Sequence, residues 1–277
     1  MNNTIFNSKI SGVRTSARFD SSLYFDQETL SLDSSPIARF VSLRTDLTII
    51  LGATDESQQW RIKANLVMLG IVSGVESYFR ETIRKILLVD EDSRVTSYSK
   101  AISYGAALYH DNELLPEALL EDCTFTSKKN IVENMKGFLG ISCNLQQNAV
   151  ISNALDEYEK ICQLRHCIAH RSGLLGSKNA IVLGLDQHSE FLEKPIKASL
   201  DSVNNAFNIC QNIVFEMNDF VFDSVIHRTV AKGIWTGNLT KDKRYFKSLL
   251  SIFSPNPLSD DDLKTIYIKF AKHYGLK

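Results

Sequence analysis

Proline, cysteine and net charge are all scarce in this chain. Five prolines in 277 residues leave no Pro-rich linker, and no low-complexity tract or internal repeat stands out. The five cysteines (Cys123, Cys143, Cys162, Cys167, Cys210) are odd in number and include no CxxC pair. That excludes a dense disulfide scaffold and points to a reducing, cytoplasmic setting. A balance of 31 Lys+Arg against 32 Asp+Glu, with 44% hydrophobic residues, excludes a disordered polyelectrolyte. It also removes the simplest case for nucleic-acid binding, a globally basic protein, while leaving room for a local patch. The N-terminal run MNNTIFNSKISGVRTSARFD has no uninterrupted apolar core and no small-residue cleavage site, so no export signal is expected. The most apolar stretch, residues 66–75, is about half a membrane span and is bounded by Arg61, Lys63, Glu76 and Arg80. No membrane partner is expected. GxGxxG, Walker, HExxH and GxSxG motifs and paired-cysteine zinc spacings are all missing, so neither a cofactor nor a metal is indicated.

What is there is helical periodicity. Residues 1–35 are Ser-, Asn- and Asp-rich without a sustained period, and are expected to be irregular or weakly stranded. Pro36 suits a first helical position, and Phe40, Leu43, Leu47 and Leu51 follow at steps of three or four. A long helix is predicted over 56–88, apolar almost all round between Ile62 and Phe79, as in a central buried helix. Gly70, Ser73, Gly74 and Ser77 form a small-residue stripe that lets another helix approach closely. Further helices are expected over 95–109, 116–120, 128–139, 148–170 and 195–226, with one strand over 180–185. Beyond residue 227 the composition shifts. Ten Lys/Arg against four Asp give residues 228–277 a balance of +6, which leaves −7 for the rest of the chain. Ser259 followed by three aspartates caps a short amphipathic helix running to Gly275. The tail interleaves Trp235, Tyr245, Phe246, Phe253, Tyr267, Phe270 and Tyr274 with its lysines. Such aromatics either stack on RNA bases or pack the tail's own helices. The fold expected is an all-α bundle over 36–227, flanked by the N-terminal segment 1–35 and a basic helical extension 228–277.

One constellation carries chemistry, at the end of the 148–170 helix: Arg165-His166-Cys167-Ile168-Ala169-His170-Arg171. At ~100° per residue, His166 lies about 100° and His170 about 140° around the helix from Arg165. Ile161, Leu164 and Ile168 gather at roughly 260–320°, an apolar anchor on the other side. Arginine supplies a permanent fork of donors for phosphate oxygens, and histidine exchanges protons near neutral pH. Metal-independent phosphodiester cleavage needs both: a base or acid for the 2′-hydroxyl and the leaving oxygen, and a cation for the charge on phosphorus.

Arg165-His166-x-x-x-His170, an arginine, a polar residue, three variable positions and a histidine late in a helix, resembles the motif of the HEPN superfamily. The run from Ala64 to Glu81, apolar and ending in a Glu-containing, Phe/Tyr-rich turn, looks like the first core helix of those proteins. The likeness covers roughly residues 37–227. It implies an all-α domain of the kind found in ribonucleases of toxin–antitoxin, abortive-infection and CRISPR systems. On that likeness Arg165 binds the scissile phosphate, His170 is the general acid or base, and His166 orients substrate or the other two. Arg171 adds a cation for RNA. The likeness further implies a homodimer with two motifs in one cleft, an antitoxin or defence-system partner, and products with 2′,3′-cyclic phosphate ends. Glu76, in the apolar sector of its helix, needs a basic partner: Arg165, or Arg80 one turn on.

Other readings of the same residues stand beside this one. In one, the cations simply complement a helix C-terminus, as Arg171 also would. His166 and His170 with Cys162 or Cys167 would make a zinc site that lacks a fourth ligand. Cys167 and His166, adjacent on a helix, diverge too far for a nucleophile–base pair. A catalytically silent HEPN domain acting as an interaction or nucleotide-binding module is the alternative function, and a structural subunit docking through its tail is a third.

Overall fold

The computed structural model describes residues 18–26 and 34–276. The chain divides into two units, Met1–Asp33 and Ser34–Lys277. In the first, the described residues form one exposed 3-10 turn, Ser21–Tyr24, capped by Asp20; the rest of the predicted irregular or stranded segment lies outside the described residues. The second unit is all-α, with no strand among the described residues. Its helices are α1 (Pro36–Leu51), α2 (Trp60–Val89), α3 (Glu91–Ser97), α4 (Tyr104–Tyr109), α5 (Leu115–Ala118), α6 (Lys128–Leu139), α7 (Ala149–Arg171), α8 (Ser177–His188), α9 (Leu200–Ala231), α10 (Leu239–Phe253) and α11 (Asp260–His273). None is long and apolar enough to cross a membrane among the described residues.

The helix ends follow local chemistry. The Ser35 hydroxyl accepts from Ala38 N at 3.1 Å and Pro36 occupies the first turn of α1. Ser259 and Asp262 form a reciprocal capping box at the start of α11. Asp90 terminates α2 and caps α3, accepting from Ser93 N at 2.7 Å. Such caps explain a first correction. The helix predicted over 95–109 is two helices, α3 and α4, because Asp90 starts one early and Ser103, accepting from Ala106 N at 3.2 Å, starts another.

A second correction concerns the predicted strand over 180–185, which lies inside α8. Only Ala180 is buried there, against Cys167 and Leu175, while Ile181 and Val182 face solvent. An apolar run that short satisfies either period, and no strand among the described residues offers a ladder. Gly184 (φ 102°, ψ 96°) kinks the helix at a conformation that disfavours side chains. The long helix α9 begins later than expected, at Leu200, where Ser199 accepts from Ser202 N.

α2 is the central element, with Val67, Ile71, Val72, Val75, Phe79, Ile83 and Ile86 all at 1% exposure or less. Burying one such side chain contributes about 1.5–3 kcal/mol. Half of the small-residue stripe works as its spacing predicts: α1 runs antiparallel across Gly70 and Gly74, and a Cβ at Gly74 would lie 2.7 Å from Leu43 Cδ2, whereas Ser73 and Ser77 are exposed. α9 runs parallel to α2, tied by Trp60 Nε1 donating to Ala198 O at 2.7 Å and by Asn218 opposite Tyr78. The tail has no core of its own. Phe246, Leu249, Phe253, Leu263 and Tyr267 join the same cluster as α2 and α9, and Asn218 of α9 donates to Phe253 O at the end of α10. The tail's aromatics pack on one another: Trp235 lies 5.1 Å from both Tyr245 and Phe270, and Phe246 lies 5.1 Å from Tyr267.

Candidate active site

The motif sits where a buried stripe runs out of cover. Along α7, Ile151, Leu155, Tyr158 and Cys162 are buried at steps of three and four. The same steps continue into Arg165 and His166, both half-buried, and then Ala169 and His170, both exposed. This corrects the expectation that the polar sector lies opposite the anchor. Ile161, Leu164 and Ile168 do pack on the core, but so does the other side of the helix. Arg165 and His166 lie at the edge of the buried arc, where α7 leaves the bundle. The helix stops at Ser172 and Gly173, both with positive φ, and Gly173 N donates to Cys167 O at 2.9 Å.

The His166 and His170 rings lie 6.0 Å apart and tilted 20° from parallel. Neither histidine nor Arg165 has a hydrogen-bond or ion-pair partner among the described residues, whereas the cation next in line is taken. Arg171 Nη2 donates to Glu193 Oε1 at 2.5 Å and fastens the loop beyond α8. Arg171, expected to contact RNA, therefore has a structural partner.

Burial, then the Arg165 charge and then His170, hold His166 below its ordinary value of 6.5, and Glu76 opposes them. His166 is thus neutral at pH 7 and able to accept a proton. The unfolded chain protonates this ring near the ordinary value and the folded chain only below it. Its contribution to stability is therefore complete above about pH 6.5 and is lost as pH falls. An NMR titration of the ring should give a midpoint below 6.5 for His166. Arg165→Met should raise that midpoint and Glu76→Gln should lower it further; a wild-type midpoint at or above the ordinary value would contradict this placement.

Glu76 does not pair as expected. It is half-buried on α2, its Oε1 accepts from Phe125 N at 3.3 Å, and its charge acts on His166, Cys162 and Tyr158. Arg80 instead donates to Leu120 O and Cys123 O, each at 2.5 Å. Two carbonyls beyond α5, with Glu117 of α5 at 3.9 Å, reach Arg80 where the intrahelical carboxylate does not. The motif that matters to Glu76 is thus His166, across the α2–α7 contact.

The cysteines offer no chemistry. Burial pushes the Cys162 thiol up to about 12, and Cys167 is enclosed with Leu175 and Ala180. Among the described residues no group of three His, Cys, Asp or Glu side chains is placed to hold a metal ion. Sequence periodicity missed one feature. Ile62 and Leu66 of α2, expected to be buried, are 64% and 61% exposed. With Ser73 and Ser77, also exposed, they mark an open face of α2. It flanks the end of α7, where Asn65 lies against Gly173. Among the described residues no helix covers this face, which no periodicity can report.

No protein-family model matches the chain, and neither a curated protein nor a solved structure is similar to it.

Proposed function

We propose that this protein is a metal-independent endoribonuclease acting through Arg165, His166 and His170. The observation that carries the proposal is a half-buried arginine without a hydrogen-bond or ion-pair partner among the described residues, one residue from a neutral histidine and about one turn and a half from an exposed one. A guanidinium with no protein acceptor keeps its fork of donors open to an anion, and a phosphodiester oxygen fits that fork. In the reaction, the 2′-oxygen attacks phosphorus as its proton passes to His166. The bond to the 5′-oxygen breaks, and His170 supplies that oxygen with a proton. Arg165 holds the non-bridging oxygens, where negative charge accumulates. The products are a 2′,3′-cyclic phosphate and a free 5′-hydroxyl. Incubating purified protein with total RNA in EDTA should yield those ends; no cleavage, or cleavage abolished by the chelator, would sink the proposal.

A homodimer across the open face of α2 belongs to the same proposal, since Ile62 and Leu66 lie beside the motif and an isologous contact would bring two motifs together. Leu66→Glu, at an exposed position, should leave the melting temperature unchanged and convert the dimer to monomer in sedimentation velocity. A wild type already monomeric at micromolar concentration would refute the dimer. The same exposed strip favours the second reading, a catalytically silent interaction module, if RNA remains uncut while the dimer forms. A toxin or defence role, with a partner restraining the activity, follows only from the nuclease proposal.

A further inference from the structure

A groove with a volume of about 510 Å³ lies on the other flank of the motif helix. Its floor is apolar, made by Ile161 and Leu164 of α7 and Leu183 of α8. Phe191 stands at one wall with nearly half its surface exposed, and Lys194 Nζ lies 5.5 Å from its ring centroid. Lys160 and Lys197 complete the rim, and no carboxylate lines the groove. Lys160 is matched by Glu157 at 2.6 Å, whereas Lys197 has no ion-pair partner among the described residues.

The wall is rigid rather than loose. Glu193 N donates to Leu175 O, Leu175 N to Lys194 O and Ile196 N to Gly173 O, so the segment is zipped to the chain leaving α7. The Arg171–Glu193 pair fastens it again. The helix turn that carries Arg165 therefore also carries the groove floor, since Leu164 is its immediate neighbour.

We propose that this groove holds an unpaired nucleotide of single-stranded RNA, flanking the phosphate bound at Arg165; the inference rests on the nuclease proposal for the same helix. The base lies on the apolar floor against the face of Phe191, and Lys194 and Lys197 meet the adjoining phosphates. Aromatic faces accept any base and lysines follow the backbone without reading sequence. A simple amphiphilic anion would satisfy the groove alone. A polynucleotide accounts for both the groove and the unpartnered guanidinium beside it, and a duplex is excluded because its bases are stacked away from any such wall.

The test uses the full chain carrying His170→Ala, so that RNA stays intact. Its probes are a short fluorescein-labelled single strand of mixed sequence, the same strand annealed to its complement, and decanoate. Binding should favour the single strand over the duplex. Phe191→Ala should weaken it about tenfold, and Lys194→Ser/Lys197→Ser should weaken it and reduce its salt dependence. All three side chains are exposed, so melting temperatures should match the parent; Phe191→Trp, which keeps a stacking face, should retain binding. Unchanged affinity in both the Phe191→Ala and the double-lysine variants overturns the subsite, as does saturable decanoate binding that RNA does not displace. If these variants bind equally well, and the same substitutions made with His170 intact cut RNA as fast as wild type, the subsite falls and the nuclease stands. If nothing is cut but single strands still bind through Phe191, the subsite stands and the nuclease falls.

Discussion

His170→Ala is expected to lower the rate of RNA cleavage by about 10²–10⁴-fold, the usual worth of a positioned general acid or base. The side chain is exposed at the end of α7 and bonded to nothing described, so the variant should melt like wild type and the loss should fall on chemistry. Arg165→Ala should cost about 10²–10³-fold, as when a charge-stabilising donor is removed from a transition state. Arg165→Lys should recover little, because an ammonium offers a point charge where the guanidinium offers a fork. Combining His170→Ala with Arg165→Ala should cost less than the product of the single losses, since both act in one step. His166→Ala separates the roles. Loss of the acid limb of the pH–rate profile, rather than a uniform fall, identifies His166 as the base. Equal cleavage by wild type, Arg165→Ala and His170→Ala would mean that another site, or a contaminant, cuts the RNA.

Arg228→Met is expected to destabilise the fold by about 3–5 kcal/mol, because it strands a buried carboxylate. Asp90 is 1% exposed, and among the described residues the only cation within bonding distance is Arg228, whose Nη2 donates to Asp90 Oδ2 at 2.5 Å. The same guanidinium donates to Leu139 O at the end of α6 and to Ser93 Oγ. It thus joins α9 to the α2–α3 junction and to the last turn of α6. Lys232 and Asp92 pair beside it nearer the surface, and screening leaves that pair worth far less. Thermal unfolding should show a melting temperature lower by roughly 10 °C. Adding Asp90→Asn to Arg228→Met should recover part of the loss, since the stranded charge is then gone. A change of less than about 1 kcal/mol in urea unfolding would show that Asp90 finds water or another cation instead.

The first and last helices were legible at their starts: Pro36, and Ser259 followed by three aspartates, stand next to apolar residues spaced at three and four. The small stripe of Gly70 and Gly74 announced a close helix contact, and α1 supplies it. Where two periods fit the same few residues, as in the run 180–185, local pattern could not choose. α8 is helical because Ala180 finds Cys167 and Leu175, a contact far from obvious in the sequence. Asp90, Arg228 and Leu139 lie too far apart in the chain for any motif to join them. Arg80 looked like the partner of Glu76 at helical spacing, but two carbonyls beyond α5 claimed it.

What the sequence determined by itself is the long helices α1, α2, α7 and α9, the Pro36 and Ser259 starts and the clustering of Arg165, His166 and His170 within one turn and a half, because hydrogen bonding and side-chain spacing along one helix are local. What only the tertiary structure decided is which parts of each helix are covered. Ile62 and Leu66 belong to an apolar helix yet stay open, and the cations of α7 continue a buried stripe rather than opposing it. Burial is set by the neighbour that packs against a residue, and those neighbours come from distant parts of the chain.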